Sequence, residues 1–394
     1  MIGTRWPTVA LGEVLSLALA PERVEPERSY PALGVYGFGR GVITDKLPVR
    51  GSHIAAPVLF KVKVGQFIYS KLKAFEGAFA VVPDEADGRF VTNEFPTFDC
   101  HAERLDNGYL AWLFRLPATW AKLSEESTGI GARRERVHPE QVLRFRCMLP
   151  PLPIQRSIAR CLDSVAKRIA KRAAAAKKVE VELGTMLQAA FRRMTSGAPV
   201  VRLGDVAPLT RCPVAIEPGA VYREVGARSF GRGLFQKPDV RANELTWQQL
   251  FHIEQGDLVF SNIKAWEGAF AVADASHHGC VGSHRYLTCV PDPKRATAEF
   301  LWFYLQSPSG IADVQAASPG SADRNRTLSS RALADIRIPL PSLDVQKDFD
   351  RLQAKVRAAL AAQRTATVEL DKLLPALLHE AFGEGTAALP RAAA

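Results

Sequence analysis

The feature that most constrains the fold of this chain is a short phrase that occurs twice. "KAFEGAFAV" runs from Lys73 to Val81 and "KAWEGAFAV" runs from Lys264 to Val272, so eight of nine positions are identical at a spacing of 191 residues. The whole chain has 394 residues, and the spacing is close to half of that length. A chain this long ordinarily divides into two domains, and a repeat at half its length predicts that both domains share one fold.

Further matches follow the same order along both halves. "VALGEV" at 9–14 matches "VRLGDV" at 201–206, "FGRG" occurs at 38–41 and at 230–233, and "LPPLPIQRSI" from 149 matches "LPSLDVQKDF" from 340. An ordered series at offsets of 191 or 192 is not chance. We infer a tandem duplication, with copies at about Met1–Gly197 and Ala198–Ala394.

Each copy has the same internal layout. Runs such as "FIYSKL" and "AFAVV" have strand character, Gly and Pro punctuate them, and "NGYLAWLFRL" and "AEFLWFYLQS" have apolar residues at helical spacing. The proline-rich segments "LPPLP" and "IPLPSL" then precede a long helical pattern in each copy. The predicted class is α+β, with a mixed α/β domain followed by a long helix, written twice.

Both long helical patterns carry apolar residues three or four positions apart, which predicts a coiled coil. We expect the two helices to pair antiparallel, each about 50–55 Å long, with the two domains at opposite ends and related by a pseudo-two-fold axis. Pro375 is expected to kink the second helix or to end it early. The predicted seam comprises Ile158, Leu162, Val165 and Ile169 in the first helix and Phe349, Leu352, Val356 and Leu370 in the second, continuing to Leu373 and Leu377.

The charge balance favours a polyanionic partner. Lys and Arg number 51 against 41 Asp and Glu, which gives a net charge of +10 and a pI near 9.4. Two similar basic domains on a fixed spacer suit the recognition of two separated half-sites on double-stranded DNA.

Several function classes are disfavoured by what the sequence lacks. There is no apolar run of about 18 residues and no secretory signal at the start, so we expect no membrane span and a cytoplasmic location. The six cysteines form no C-x-x-C pair, and His277, His278, Cys280 and Cys289 lack a second ligand pair at finger-like spacing, so we expect no metal site. The phosphate-binding motifs G-x-G-x-x-G and G-x-x-x-x-G-K-[ST] do not occur either, and we expect no catalytic residues in this chain.

The chain resembles the specificity subunits of type I restriction–modification systems. The resemblance rests on "RWPTVALGEV" and "VRLGDV" at the starts of the two copies, and on "PPLPIQRSIARCLD" and "LPSLDVQKDFDRL" at the starts of the two helices. It covers nearly the entire chain. It implies target-recognition domains at 1–150 and 198–341 and spacer helices at 151–197 and 342–385, and we expect the remaining residues 386–394 to form a disordered tail.

The resemblance also implies a function and a set of partners. Each domain would read one half of a bipartite DNA target, and the paired helices would dock two methylation subunits, with restriction subunits completing the enzyme. The partners would use S-adenosylmethionine, ATP and Mg²⁺, while this chain would hold no cofactor and catalyse nothing itself. Asp344 stands where the first helix start has Pro153, which leaves the helix ends and subunit contacts open. The alternatives are a recognition or scaffold protein of another defence system and, more remotely, an enzyme with its own site.

Candidate DNA contacts fall into three groups. Positions kept in both copies suit phosphate contacts, whereas positions that differ suit base readout, because two domains with different targets should differ where bases are read. For the lysines of the first group, a solvated side chain at a strand end is an equal alternative, and an ordinary polar loop is the alternative for the second. The first group comprises Arg40, Arg232, Lys73 and Lys264; the second comprises Lys71, Asn93, Asn262, Ser283, His284 and Arg285; and a third, of loop arginines expected to clamp the backbone, comprises Arg133, Arg134, Arg136, Arg324 and Arg326.

Overall fold

The computed structural model of the chain describes residues 6–125, 136–246, 249–320 and 326–383. One unit comprises the residues up to Ala175 together with those from Arg364 onward, and the other comprises Ala176–Gln363. Each long helix therefore contributes its two halves to different units. No helix in the described ranges is long and apolar enough to cross a membrane.

The first unit contains thirteen described strands, three short helices and the first part of a long helix. They are β1 (Thr8–Ala10), β2 (Leu15–Leu17), β3 (Pro21–Arg23), β4 (Ser29–Tyr30), β5 (Gly34–Val35), β6 (Val42–Ile43), β7 (Val49–Arg50), β8 (Val58–Lys61), β9 (Phe67–Tyr69), β10 (Phe79–Val81), β11 (Phe90–Val91), β12 (Thr97–Cys100), α1 (Asn107–Leu113), α2 (Pro117–Glu125), α3 (Pro139–Arg144), β13 (Arg146–Met148) and α4 (Leu152–Thr195).

Two antiparallel sheets organise the first unit. One has the order β10-β9-β12-β2 and the other the order β11-β8-β3. Phe67 and Tyr69 on the central strand β9 and Phe79 on the edge strand β10 are almost fully buried, and they share a core with Phe114, which follows α1. Burying large aromatic side chains is the main source of stability in such a core.

The second unit repeats this plan with eleven described strands, four short helices and the first part of a second long helix. They are β14 (Val200–Arg202), α5 (Leu203–Val206), β15 (Val221–Tyr222), β16 (Val225–Ala227), β17 (Leu234–Gln236), β18 (Val240–Arg241), β19 (Leu250–Ile253), β20 (Leu258–Ser261), β21 (Phe270–Val272), β22 (Cys280–Ser283), β23 (Tyr286–Cys289), α6 (Ala298–Gln306), α7 (Pro308–Ala316), α8 (Ser330–Asp335), β24 (Arg337–Pro339) and α9 (Leu343–Phe382).

The sheet register is the same in both copies. Tyr69 stands opposite Phe79 in β9 and β10, and Phe260 stands opposite Phe270 in β20 and β21, which is the same pairing 191 residues later. The twice-written phrase therefore forms an edge strand and the turn before it. The predicted strand and the predicted duplication of a mixed α/β unit are confirmed.

The long helices pair antiparallel, as the sequence predicts. In the first unit, Ile158 near the start of α4 shares a core with Leu378 and Phe382 near the end of α9. In the second unit, Phe191 near the end of α4 lies with its ring centroid 5.2 Å from that of Phe349 near the start of α9. The start of each helix thus packs with the end of the other.

The predicted seam is buried to different degrees along its length. Four of its residues are buried, Ile158, Leu162, Phe349 and Val356, and five are half-buried, Val165, Ile169, Leu352, Leu370 and Leu377.

Three expectations about the long helices need correction. Helix α9 continues through Pro375 to Phe382, so the proline does not end it. Leu373 is 40% exposed, and Leu374 and Leu378 pack on the core instead, because the four-residue step from Leu370 to Leu374 carries the apolar face onward. Helices of 44 and 40 residues span about 66 and 60 Å, which is longer than expected.

A buried glutamine ties the start of each long helix to the unit in which that helix begins. Gln155 is fully buried, donates to the carbonyl oxygens of Arg104 and Pro150 at 2.9 and 2.7 Å, and accepts from the backbone N–H of Asp106 at 2.9 Å. In the second unit, Gln346 makes the same three hydrogen bonds to residues 295, 341 and 297, at 3.0, 2.9 and 3.0 Å. The retained Gln155–Gln346 pair is therefore structural.

Candidate nucleic-acid interface

The turn before the repeated strand has the same geometry in both units. A 3-10 turn at Ala74–Glu76 ends at Gly77 with φ +73°, and one at Ala265–Glu267 ends at Gly268 with φ +80°. A left-handed φ is easily adopted only by glycine. Both copies of the repeated phrase therefore keep a glycine at this position.

The lysine at the start of each turn lies near the glutamate of the same turn. Lys264 donates from Nζ to Oε1 of Glu267 at 2.8 Å, whereas Nζ of Lys73 lies 3.6 Å from Oε2 of Glu76. A hydrogen bond from Lys264, and to a smaller extent one from Ser229, holds the pKa of Glu267 below its ordinary value. Both lysines are exposed, so each can still meet a phosphate, but part of its charge is already balanced.

The "FGRG" loop docks on this turn in each unit. The backbone N–H of Phe38 donates to the carbonyl oxygen of Glu76 at 2.6 Å, and that of Phe230 donates to the carbonyl oxygen of Glu267 at 2.8 Å. The next N–H in each loop, from a glycine, donates to the carbonyl oxygen of Gly77 or Gly268, at 2.9 and 3.1 Å. Two segments that the sequence shows only as separate retained motifs therefore form one structural element.

The arginine of each loop is exposed at the surface. The guanidinium carbon of Arg40 lies 5.8 Å from the ring centroid of Phe38, and that of Arg232 lies 5.7 Å from that of Phe230. Nε of Arg40 also donates to the carbonyl oxygen of Gly37 at 3.1 Å. A guanidinium held over a rigid loop in this way retains donors for a phosphate oxygen.

In the first unit, three candidate segments converge beside the turn. The backbone N–H of Lys71 donates to the carbonyl oxygen of Glu94 at 2.9 Å, and that of Val137 donates to the carbonyl oxygen of Lys71 at 3.1 Å. Arg136 places a guanidinium nitrogen 3.3 Å from Oε1 of Glu94. Asn93, next to Glu94, is exposed. The cluster thus combines a lysine, an amide, a carboxylate and an arginine.

In the second unit, the same backbone frame carries different side chains. The N–H of Asn262 donates to the carbonyl oxygen of Arg285 at 2.7 Å, and that of Leu328 donates to the carbonyl oxygen of Asn262 at 2.8 Å. Arg326 lies two residues before Leu328, with its guanidinium carbon 5.2 Å from the ring centroid of Trp266. His284 and Arg285 are exposed.

The sequence alone aligns Arg136 with Arg326, and Asn93 and Glu94 with Ser283 and His284, but these hydrogen bonds shift both alignments by one residue. Because Val137 corresponds to Leu328, Arg136 corresponds to Thr327 and not to Arg326. By the equivalent hydrogen bonds from Lys71 and Asn262, Glu94 corresponds to Arg285 and Asn93 to His284. Sequence comparison missed the shift because the residues on either side are dissimilar.

Ser283 differs from the other candidates because it lies inside the fold. It is only 4% exposed, and its hydroxyl accepts from the N–H of Arg285 at 3.4 Å. Thr92 makes the equivalent contact with the N–H of Glu94 in the first unit, also at 3.4 Å. These hydroxyls shape the loop from which the neighbouring side chains project.

One buried oxygen in each cluster lacks a hydrogen-bond partner among the described residues. These atoms are Oε2 of Glu94 and the side-chain carbonyl oxygen of Asn262. Buried acceptors are ordinarily satisfied, and exceptions often mark functional sites. Arg133, Arg134 and Arg324, the remaining clamp candidates, lie outside the described residues.

Sequence reasoning passed over the aromatic residues of this region. Phe38, Phe230 and Trp266 are all at least partly exposed beside a Lys or Arg. The available signal was the phenylalanine retained before the first glycine in both copies of "FGRG". No group of three or more potential metal ligands occurs in the described ranges, and all six cysteines are free.

Comparison with known proteins gives a consistent result at the level of fold. No protein-family model and no curated sequence matches the chain. The HsdS subunit from Thermoanaerobacter tengcongensis matches with a TM-score of 0.62 at 19% identity, over 97% of this chain and 98% of that one. A chain from a structural study of complex assembly and conformational transition of the type I R-M system matches with a TM-score of 0.67 at 20% identity, over 98% and 99%. The type I restriction–modification S subunit from M. genitalium matches with a TM-score of 0.50 at 14% identity, over 97% of each chain.

Proposed function

Because the chain has the fold of type I restriction–modification specificity subunits, we propose that it is the DNA-recognition subunit of such a system. Each unit reads one half of a bipartite duplex target. The chain itself is non-catalytic. It works in the cytoplasm, where the DNA and the partner subunits are.

The observation that carries the proposal is that both units share one arrangement of backbone hydrogen bonds but carry different side chains on it. The hydrogen bonds around Lys71 and Glu94 recur around Asn262 and Arg285, while charge and hydrogen-bonding capacity differ at both positions. Direct readout needs such a difference, because each base pair presents its own pattern of donors and acceptors in the major groove. A frame serving only stability has no reason to exchange Glu94 for Arg285.

Candidates for phosphate contacts support the same proposal. Arg40 and Arg232 are retained on equivalent exposed loops, and a net charge of +10 favours a polyanion. Contacts to phosphates position a protein without reading sequence, so both copies can keep them. Positioning residues and readout residues are thus neighbours in each unit.

The proposal extends to partner subunits. One similar chain comes from a study of the assembly of a type I restriction–modification system. By this analogy, the paired α4 and α9 dock two methylation subunits, and restriction subunits join them. Those partners carry the catalytic residues and use S-adenosylmethionine, ATP and Mg²⁺.

Mapping modified adenines across the host genome tests the proposal. The map is made with the gene intact, with the gene deleted, and with the deletion complemented by the wild-type gene. We expect a two-part motif with a fixed unread gap that is lost on deletion and restored on complementation. A modified motif that survives deletion contradicts the methylation role and favours recognition within another defence system.

A further inference from the structure

Two phenylalanines in this chain hold a backbone conformation that side chains rarely adopt. Among the described residues, Phe38 with φ +61° and Phe230 with φ +62° are the non-glycine residues with positive φ. A Cβ atom is disfavoured in this left-handed region, whereas glycine enters it freely. Glycine would therefore be the favoured residue at both positions if the backbone alone mattered.

Each phenylalanine is held in place by the turn beneath its loop. Its N–H donates to the carbonyl oxygen of Glu76 or Glu267, and the following glycine donates to that of Gly77 or Gly268. A conformation imposed by its surroundings in this way tends to persist where it serves a function.

Most of each ring remains exposed, although the backbone that carries it is strained. Phe38 is 61% exposed and Phe230 is 73% exposed. The ring of Phe38 has an edge contact with Trp120 at 6.0 Å between centroids, and the residue corresponding to Trp120 in the second unit is Ile311. A role in core packing therefore does not account for an exposed ring in both copies.

The surroundings of the two rings select among possible partners. Each ring has an arginine beside it, Arg40 or Arg232. It lies on the turn that follows Lys71 in the first unit or Asn262 in the second. Apolar side chains inserted between base steps are an established way of distorting a duplex, and a neighbouring arginine can neutralise the adjacent phosphate. The arginine beside each ring favours a polyanionic partner over a protein surface.

We propose that Phe38 and Phe230 each insert into the base stack of the duplex, one in each half of the target, and that Arg40 and Arg232 bind the phosphates beside the opened steps. This inference rests on the proposed function and deepens it. Rigid loops suit the task, since an ordered ring loses little conformational freedom on binding.

The test begins with selection from a randomised duplex pool by the purified full-length chain. The enriched duplexes are then synthesised with 2-aminopurine, whose fluorescence rises on unstacking, at each position in turn. We expect emission to rise at one step in each half. Phe38→Ala should abolish the rise in one half and Phe230→Ala in the other, each weakening binding about tenfold.

Glycine variants and controls separate this role from a structural one. Phe38→Gly and Phe230→Gly relieve the backbone, so their thermal midpoints should be at or above the wild-type value while the fluorescence rise is lost. Leu47→Ala, at a residue 84% exposed in the first unit, should change neither quantity.

The outcomes are distinguishable. If no sequence is enriched, the proposed function fails, and this inference fails with it. Enrichment of a two-part sequence without any fluorescence rise overturns the insertion alone. Variants that keep the rise and the affinity but no longer co-purify with a co-produced methylation subunit also overturn it, in favour of a protein contact.

Discussion

The side-chain carbonyl oxygen of Gln155 accepts a hydrogen bond from the backbone N–H of Asp106 at 2.9 Å, while its amide donates to two backbone carbonyls. The start of α4 is thereby fixed to the loop before α1. Because Gln155 is fully buried, no water can replace it without rearrangement.

Gln155→Ala should lower the free energy of unfolding of the first unit by about 3 kcal/mol, because three buried backbone groups lose their partner. Chemical denaturation, with hydrogen exchange of the segment around Asp106, measures the effect. Gln188→Ala, at an exposed position on the same helix, should stay within about 0.5 kcal/mol. Equal effects of the two substitutions would contradict the role given to Gln155.

Gly77 and Gly268 offer a matched pair, because their backbones are alike and their surroundings differ. A Cβ on Gly77 would lie 2.4 Å from the indole of Trp120, whereas the nearest atom to a Cβ on Gly268 is 3.4 Å away. Gly268→Ala should cost about 1–2 kcal/mol for the left-handed φ alone. Gly77→Ala should cost at least about 1 kcal/mol more. Thermal unfolding of both variants checks the order, and the reverse order would refute it.

Much of the fold was predictable because duplication makes the sequence its own comparison. The retained "EGAFAV" strand, the paired glutamines and the antiparallel helices all follow from matching the two copies. What the comparison could not give was the contact between the "FGRG" loop and the turn at Gly77, since hydrogen bonds between backbone groups leave no mark on side chains.

The candidate site was predictable in its location more than in its detail. The positions at Lys71 and Asn262 were identified because they differ between copies, yet Arg285 was aligned one residue away from Glu94, its partner in the frame. Backbone hydrogen bonds fix such a register, and the sequences of the two copies are dissimilar around these positions. The burial of Ser283 was equally hidden, because a hydroxyl suits both a loop and a base edge.

The six cysteines should divide into two reactive and four protected thiols. Cys161 and Cys212 are exposed. Burial raises the pKa of the other four thiols, above its ordinary value for Cys280 and to about 12 for Cys100, Cys147 and Cys289. The thiolate is the reactive form, and at pH 8 a thiol with that pKa is ionised only about once in 10⁴. Titration with a disulfide reagent should show two fast equivalents in the native protein and six after denaturation. More than two fast equivalents would mean that the buried thiols are accessible.

Arg40 and Arg232 should contribute affinity without specificity. Replacing both with Ala should weaken binding of all duplexes by a similar factor and reduce the slope of log affinity against log salt by about 2, one for each phosphate that is no longer neutralised. Fluorescence anisotropy at several salt concentrations measures the slope. Arg160→Ala, on the exposed face of α4, serves as the control and should leave it unchanged. A double variant that alters the preferred sequence would instead assign these arginines to base readout.

Glu94 and Arg285 should each govern sequence preference in one half of the target. A carboxylate suits the amino group of cytosine and a guanidinium suits guanine, and each such pair discriminates by about 1–3 kcal/mol. Arg285→Ala should therefore relax the methylation motif at a position in one half, and Glu94→Ala at a position in the other. Genome-wide mapping of modified adenines in strains carrying each variant measures both. Arg241→Ala, an exposed arginine on β18, should preserve the motif. A single variant that relaxes both halves together would show that it acts on assembly or general affinity, because direct readout by one unit can alter only the bases which that unit contacts.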